Sequence, residues 1–208
     1  MSLFVVIAVT ATVIGLVGGI PDPRKVKREL ARARVQTIDS LVEGKPGAVR
    51  GTVAVIDPET TIWAPLTQHR CVYVLVVFDE VGVGGDYREL GRIEGTASFL
   101  LRSEHGTARI VPSGARLALP GHSVARPFMN LGPMLTELSR GQIEQPNYPT
   151  SWLRATEYRI DEGEELTIRG WVTREPLPEA SDAVSGYREQ LPTRAVISGS
   201  RRAKLLIG

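Results

Sequence analysis

The chain opens on one long apolar run and continues as short segments, mostly alternating. Residues 2–20, SLFVVIAVTATVIGLVGGI, carry no charge. As a helix this run reaches ~28 Å, close to the roughly 30 Å hydrocarbon core of a bilayer, so the pattern predicts a transmembrane span. Pro21 and Pro23 break it. Ala31, Val35, Ile38 and Val42 then recur at one-face helical spacing, predicting a second helix from Arg24 to Val42 that stops at Gly44 and Pro46.

The remainder reads as strands. Residues 48–57 alternate. Residues 71–78, CVYVLVVF, are continuously apolar between His69-Arg70 and Asp79-Glu80, which predicts a strand covered on both faces. Residues 98–111 read as a hairpin turning at Glu104-His105-Gly106-Thr107, with Gly106 supplying positive φ. Residues 115–119, 164–175 and 194–199 are further strands, 142–151 is a loop, and 176–192 is a loop or a sheet edge. A short helix is predicted over 130–141: Leu131, Met134, Leu135 and Leu138 share a face, Pro133 stands in the first turn and Gly141 ends it. The terminal KLLIG is too short to span a membrane. Gly51 and Gly170 sit inside similar stretches, Val49–Val53 and Ile168–Val172, and strand glycines mark bends. The expected fold is therefore mainly β, a curled or barrel-like antiparallel sheet with one short inserted helix. A transmembrane helix and a basic amphipathic helix precede it. The implied division is 1–22 anchor, 23–46 juxtamembrane helix and 47–208 β-rich domain.

Charge sharpens the N-terminal part. Net charge is +2, yet Arg24, Lys25, Lys27, Arg28, Arg32 and Arg34 stand against the single Glu29, a local +5, so the rest of the chain carries −3. Basic residues directly after a first span keep that side cytoplasmic, which predicts an N-terminus outside and the domain in the cytoplasm. These six side chains are the expected contact with anionic headgroups. A cleaved leader is the rival: Val17-Gly18-Gly19 is small enough for cleavage, but no basic segment precedes the apolar run. A slightly acidic body has no global attraction for nucleic acid.

Candidate chemistry is sparse. Cys71 is the only cysteine, which excludes intrachain disulfides and cysteine-rich zinc modules. Strand alternation would place His69 and Cys71 on one face, where a catalytic couple, or a metal site completed by His122, would have to form. No helix start is near and alternation points Arg70 to the opposite face, so the expectation is a structural cysteine. VGVGGD, residues 81–86, reads as a hairpin turn rather than a phosphate loop. Asp161, Glu162, Glu164 and Glu165 around Gly163 read as a solvated turn, with a weak cation site or docking patch as the alternative.

The order of features is similar to a known family. After the span and basic helix come ID-x-LVEG-x-x-G-x-V-x-G-x-V (Ile38 to Val53) and Pro65-Leu66 to Cys71-Val72-Tyr73. The hairpin from Phe99 to Ala115 and EYRI-x-x-GEEL-x-x-x-G (Glu157 to Gly170) follow. This resembles the GIDE-type, or "beside a membrane", domain of membrane-bound E3 ubiquitin ligases and of many bacterial membrane proteins, over about residues 24–208. In the ligases, activity belongs to a zinc-binding RING module, and one cysteine with three histidines cannot supply its ligands. The resemblance thus implies a membrane-anchored, non-catalytic interaction or sensing module without a cofactor. Its expected partners are the bilayer, its anionic headgroups and a membrane-proximal protein. Pro65, Leu66, His69 and Arg70 are the candidate interaction surface. Two alternatives are an OB-like binder of oligonucleotides or small ligands, and an enzyme using Cys71.

Overall fold

The computed structural model describes residues 22–82, 84–139, 144, 146, 151–177, 192–201 and 203–208. The predicted span 2–20 lies outside them, as do the predicted helix end at Gly141 and most of the two predicted loops. No helix among the described residues is long and apolar enough to cross a membrane. In chain order the elements are α1 (Pro23–Arg32), β1 (Pro46–Val55), β2 (Ile62–Trp63), β3 (Arg70–Cys71), β4 (Tyr73–Val81), β5 (Tyr87–Thr96), β6 (Phe99–Ser103), β7 (Gly106–Val111), β8 (Arg116–Leu117), β9 (His122–Pro127), α2 (Phe128–Ser139), β10 (Trp152–Ile160), β11 (Glu165–Pro176), β12 (Thr193–Ser198) and β13 (Leu206–Ile207). The protein is mainly β.

The predicted β-rich segment 47–208 is distributed over two compact units. Among the described residues, those within 22–61, 97–119 and 160–208 form a barrel unit, and those within 62–96 and 120–159 belong to a sheet unit.

In the barrel unit the strand order is β1-β6-β7-β12-β11, and β11 pairs back onto β1, which closes a five-stranded ring. β7 and β12 run parallel; the other neighbours in the ring are antiparallel. Alternation directs Val49, Val53, Phe99, Leu101, Ala108, Ile110, Leu166, Ile168, Val172 and Ile197 into a dry apolar core. Gly51 and Gly170 are the close approaches that let the ring close. A Cβ on Gly51 would run into the Arg102 carbonyl, and one on Gly170 would lie 2.7 Å from the Ser198 carbonyl oxygen. The glycine pair thus marks barrel strands, as its spacing predicted. β13 pairs with β11 and runs parallel to β8, so the terminal apolar residues add a strand that their shortness concealed.

The sheet unit holds the order β5-β4-β10-β9 and a separate β2-β3 pair. β4 is buried from Tyr73 through Glu80, so the apolar run is covered on both faces as predicted. Contrary to the sequence reading, Asp79 and Glu80 do not bound this strand; they continue it and are buried. β4 and β5 are joined by the predicted glycine turn, where Gly82 N–H donates to the Asp86 carbonyl and Gly85 takes φ 81°.

The helix predicted over 24–42 is shorter. α1 ends at Arg32, Ala33 and Thr37 are extended, and Ile38–Ser40 form one 3₁₀ turn. The Gln36 N–H donates to the Ala48 carbonyl, so the segment lies along β1 instead of continuing the helix. The face that buries is Val26 and Leu30, packed on Leu206; Val35 and Val42 are 48% and 53% exposed. The second helix begins two residues early, at Phe128, which moves Pro133 out of the first turn and into the helix interior.

Candidate functional site

The barrel unit carries the charged surface. Asp22 caps α1 by accepting from the Arg24 N–H at 2.9 Å, and Pro23 occupies the first turn. With Val26 and Leu30 fixed against Leu206, the sequence spacing turns Arg24, Lys25, Lys27, Arg28, Arg32 and Arg34 to solvent. None of the six forms an ion pair among the described residues. Such a face can hold a multiply anionic surface by long-range attraction, without a defined ligand geometry.

The acidic run is a turn. Gly163 takes φ 84° and its N–H donates to the Val53 carbonyl, while a Glu162 carboxylate oxygen accepts from the Val55 N–H at 3.2 Å. On the barrel, Glu175 accepts from Arg109 at 2.9 Å and from Arg194 at 2.6 Å. Burial pushes its carboxyl up, but the hydrogen bonds from Arg194 and Arg109 outweigh this and hold it below the usual range.

The sheet unit carries the candidate interaction surface. Residues 64–68 make a tight turn: the Gln68 N–H donates to the Ala64 carbonyl and Gln68 takes φ 56°. Glu157, buried on β10, pins it, its carboxylate accepting from the Leu66 N–H at 2.7 Å and from the Thr67 hydroxyl at 2.6 Å. Pro65 and Leu66 are half-buried there, while His69 and Arg70 are exposed. Arg70 lies over the Trp63 ring at 5.3 Å, and that ring is half exposed. Together they form a hydrogen-bonded corner that presents apolar and cationic side chains.

His69 and Cys71 differ in burial. His69 follows the positive-φ Gln68, and its carbonyl accepts from the Ala64 N–H at 2.8 Å. Cys71 is 2% exposed and its Sγ lies 3.5 Å from the Ile62 carbonyl, whereas His69 faces solvent. His122 is exposed on β9, opposite Glu157 in register. Among the described residues no three His, Cys, Asp or Glu side chains gather as metal ligands. His105 is an exposed turn residue before Gly106.

Sequence reasoning missed the buried polar network of the sheet unit. Asp79 accepts from Arg154 at 2.7 Å, and the Arg154 guanidinium stacks on Tyr87 at 3.6 Å. Glu80 accepts from Arg88 at 2.9 Å and from the Ser151 hydroxyl at 2.6 Å. Buried Glu94 accepts from the Tyr73 hydroxyl; burial, then the charge of Glu94, pushes that phenol far above its usual range. The available signal was a run of charge, 86–94, closely following the continuous apolar strand.

Comparison of the chain with protein-family models, curated proteins and solved structures finds no match.

Proposed function

We propose that this protein is a membrane-anchored, non-catalytic interaction or sensing module, similar in plan to GIDE-type domains without ligase chemistry. α1 lies on the anionic face of the membrane that residues 2–20 cross, and the corner formed by Pro65, Leu66, His69 and Arg70 meets a membrane-proximal protein. The observation that carries this reading is the docked helix: its apolar edge is spent on Leu206, and six cations are left facing solvent without an ion pair among the described residues. Near a charged surface each contributes about 1 kcal/mol. The test is amine labelling of the full-length chain reconstituted in bilayers. Phosphatidylglycerol should shield Lys25 and Lys27 relative to phosphatidylcholine alone, and salt should reverse the shielding. Equal labelling in both bilayers would refute the surface contact, and release of the chain by carbonate washing would refute the anchor. For the non-catalytic part, Cys71→Ala should leave the crosslinked partner set unchanged.

A second reading has one supporting observation. A closed five-stranded barrel with a single parallel pair has the outline of an OB-type barrel. Such barrels bind strands of nucleic acid with stacked aromatics on the second and third strands. Here the corresponding outward residues are Leu100, Arg102, Thr107, Arg109 and Val111, none of them aromatic, and Arg109 is tied to Glu175. Salt-sensitive retention on single-stranded DNA would nevertheless favour it over the first.

A further inference from the structure

The barrel unit contains a cleft of about 370 Å³ between the C-terminal end of α1 and the outer face of the barrel. Its walls include Arg32 and Arg34 from the end of the helix and the extended segment, and Glu29 one turn back. Its floor is the register pair Ala48 and Arg169 on β1 and β11. Arg169 belongs to the outward set of β11, between the inward Ile168 and Gly170, and is half-buried. Its side chain forms no hydrogen bond or ion pair among the described residues, and neither do those of Arg32 and Arg34. Three guanidinium groups and one carboxylate give the cleft a net charge of +2. A half-buried guanidinium without a carboxylate partner is an uncompensated cation, and a planar fork of donors matches a phosphoryl group.

We propose that this cleft is a binding site for a phosphoester group, held by Arg169 from the barrel and by Arg32 and Arg34 from above. The site deepens the membrane reading without depending on it, because the phosphoester can be a lipid headgroup or a small soluble molecule. The short α1 makes it. A helix continued to Val42 would carry Arg34 onward along the helix; the break at Ala33 instead lays the following segment beside β1, with Arg34 on the cleft wall. The remaining four basic residues, Arg24, Lys25, Lys27 and Arg28, do not line the cleft. They provide general attraction, while the cleft provides stereochemistry.

The full-length chain in neutral-detergent micelles would be titrated with glycerol 3-phosphate in solution and, separately, with phosphatidylglycerol added to the micelles. The readouts are the unfolding midpoint and the heat of binding. A rise with glycerol 3-phosphate assigns the cleft to soluble phosphoesters, and a rise only with phosphatidylglycerol assigns it to a headgroup; both support the site. The decisive variant is Arg169→Lys, which keeps the charge and removes the fork. Affinity should fall about tenfold, the worth of one charged hydrogen bond. No rise with either probe, or a rise that Arg169→Lys leaves unchanged, overturns the proposal. If Arg169→Lys lowers the midpoint without ligand, Arg34→Lys supplies the same comparison from the other wall. The combined variant R24Q and R28Q separates the two ideas. It keeps the two amines that labelling follows, Lys25 and Lys27, and should weaken their lipid shielding while leaving the glycerol 3-phosphate response intact.

Discussion

The two units solve the problem of a β core in opposite ways. The barrel closes on itself and fills its interior with Val, Ile, Leu and Phe, whereas the sheet unit holds every buried charged or hydroxyl residue found among the described positions: Tyr73, Asp79, Glu80, Glu94, Thr156 and Glu157. In the barrel, charge is kept outside, as in the Arg109–Glu175–Arg194 cluster. A closed ring has no edge, so its core needs only shape. A four-stranded open sheet has edges and a thinner core, and here it is cross-tied by Arg154 to Asp79 and Arg88 to Glu80. The barrel should therefore fail by cavity, the sheet unit by stranded charge. Trp171 reports on the barrel, and Trp63 and Trp152 on the sheet unit, so fluorescence can separate them.

The largest expected effect tests the barrel. Phe99→Ala empties a fully buried ring position and should cost about 3–5 kcal/mol in denaturant unfolding followed at Trp171. A cost under about 1 kcal/mol would mean that the barrel is not the packed core described. Next, Arg154→Met leaves Asp79 buried without its cation. The loss should be about 3 kcal/mol, at the low end for a broken buried pair because the Arg154 side chain is 32% exposed. It should register at Trp63 and Trp152 in denaturant titrations.

A smaller effect is expected at Tyr73. Tyr73→Phe removes the hydroxyl hydrogen bond to the buried Glu94 carboxylate and should cost about 1–3 kcal/mol at neutral pH. The parent should also lose stability in alkali. The folded phenol titrates far above its unfolded value, so its contribution is complete below about pH 10 and declines as pH rises beyond it. Tyr73→Phe should flatten that decline, and an unaltered alkaline limb would refute the assignment. The smallest effect belongs to Glu175 on the barrel. Its carboxyl is held below the usual range, so its contribution is present above about pH 4 and is lost as pH falls through the lowered value. Glu175→Gln should remove that acid-side loss at Trp171 and leave the alkaline limb of the sheet unit untouched.

The elements that alternation or apolar runs define were legible in the sequence: the strand at 71–78, the hairpin at 98–111, and the two glycine-marked strands whose bend implied a barrel. β5, β9 and β10 were not. In β5 the sequence YRELGRIEGT has no apolar face to read, because Arg88 is ion-paired with Glu80 on the neighbouring strand and Glu94 accepts a hydrogen bond from the Tyr73 hydroxyl there. Charge that is paired across strands looks, in one dimension, like solvent-exposed charge. The end of α1 was illegible for a related reason: Val35 continues the helical spacing but nothing packs on it, and the bond from Gln36 to Ala48 decides. For the candidate site, the six cations could be named from the sequence, but not their division into a face and a cleft. That division required Arg169, which lies far along the chain from α1 in an ordinary strand pattern.

The docking of Val26 and Leu30 on Leu206 also sets an order of events. A chain made from its N-terminus exposes α1 early, and the residue that covers its apolar edge is synthesised among the last described. Until then the helix is fully amphipathic, with an open apolar edge beside its cations, which is the composition that inserts most readily at a lipid interface. Under the proposed membrane reading, the nascent chain would meet the bilayer first and fold its barrel onto the helix afterwards. Mature α1 would on that proposal inherit its place from synthesis and hold it by charge.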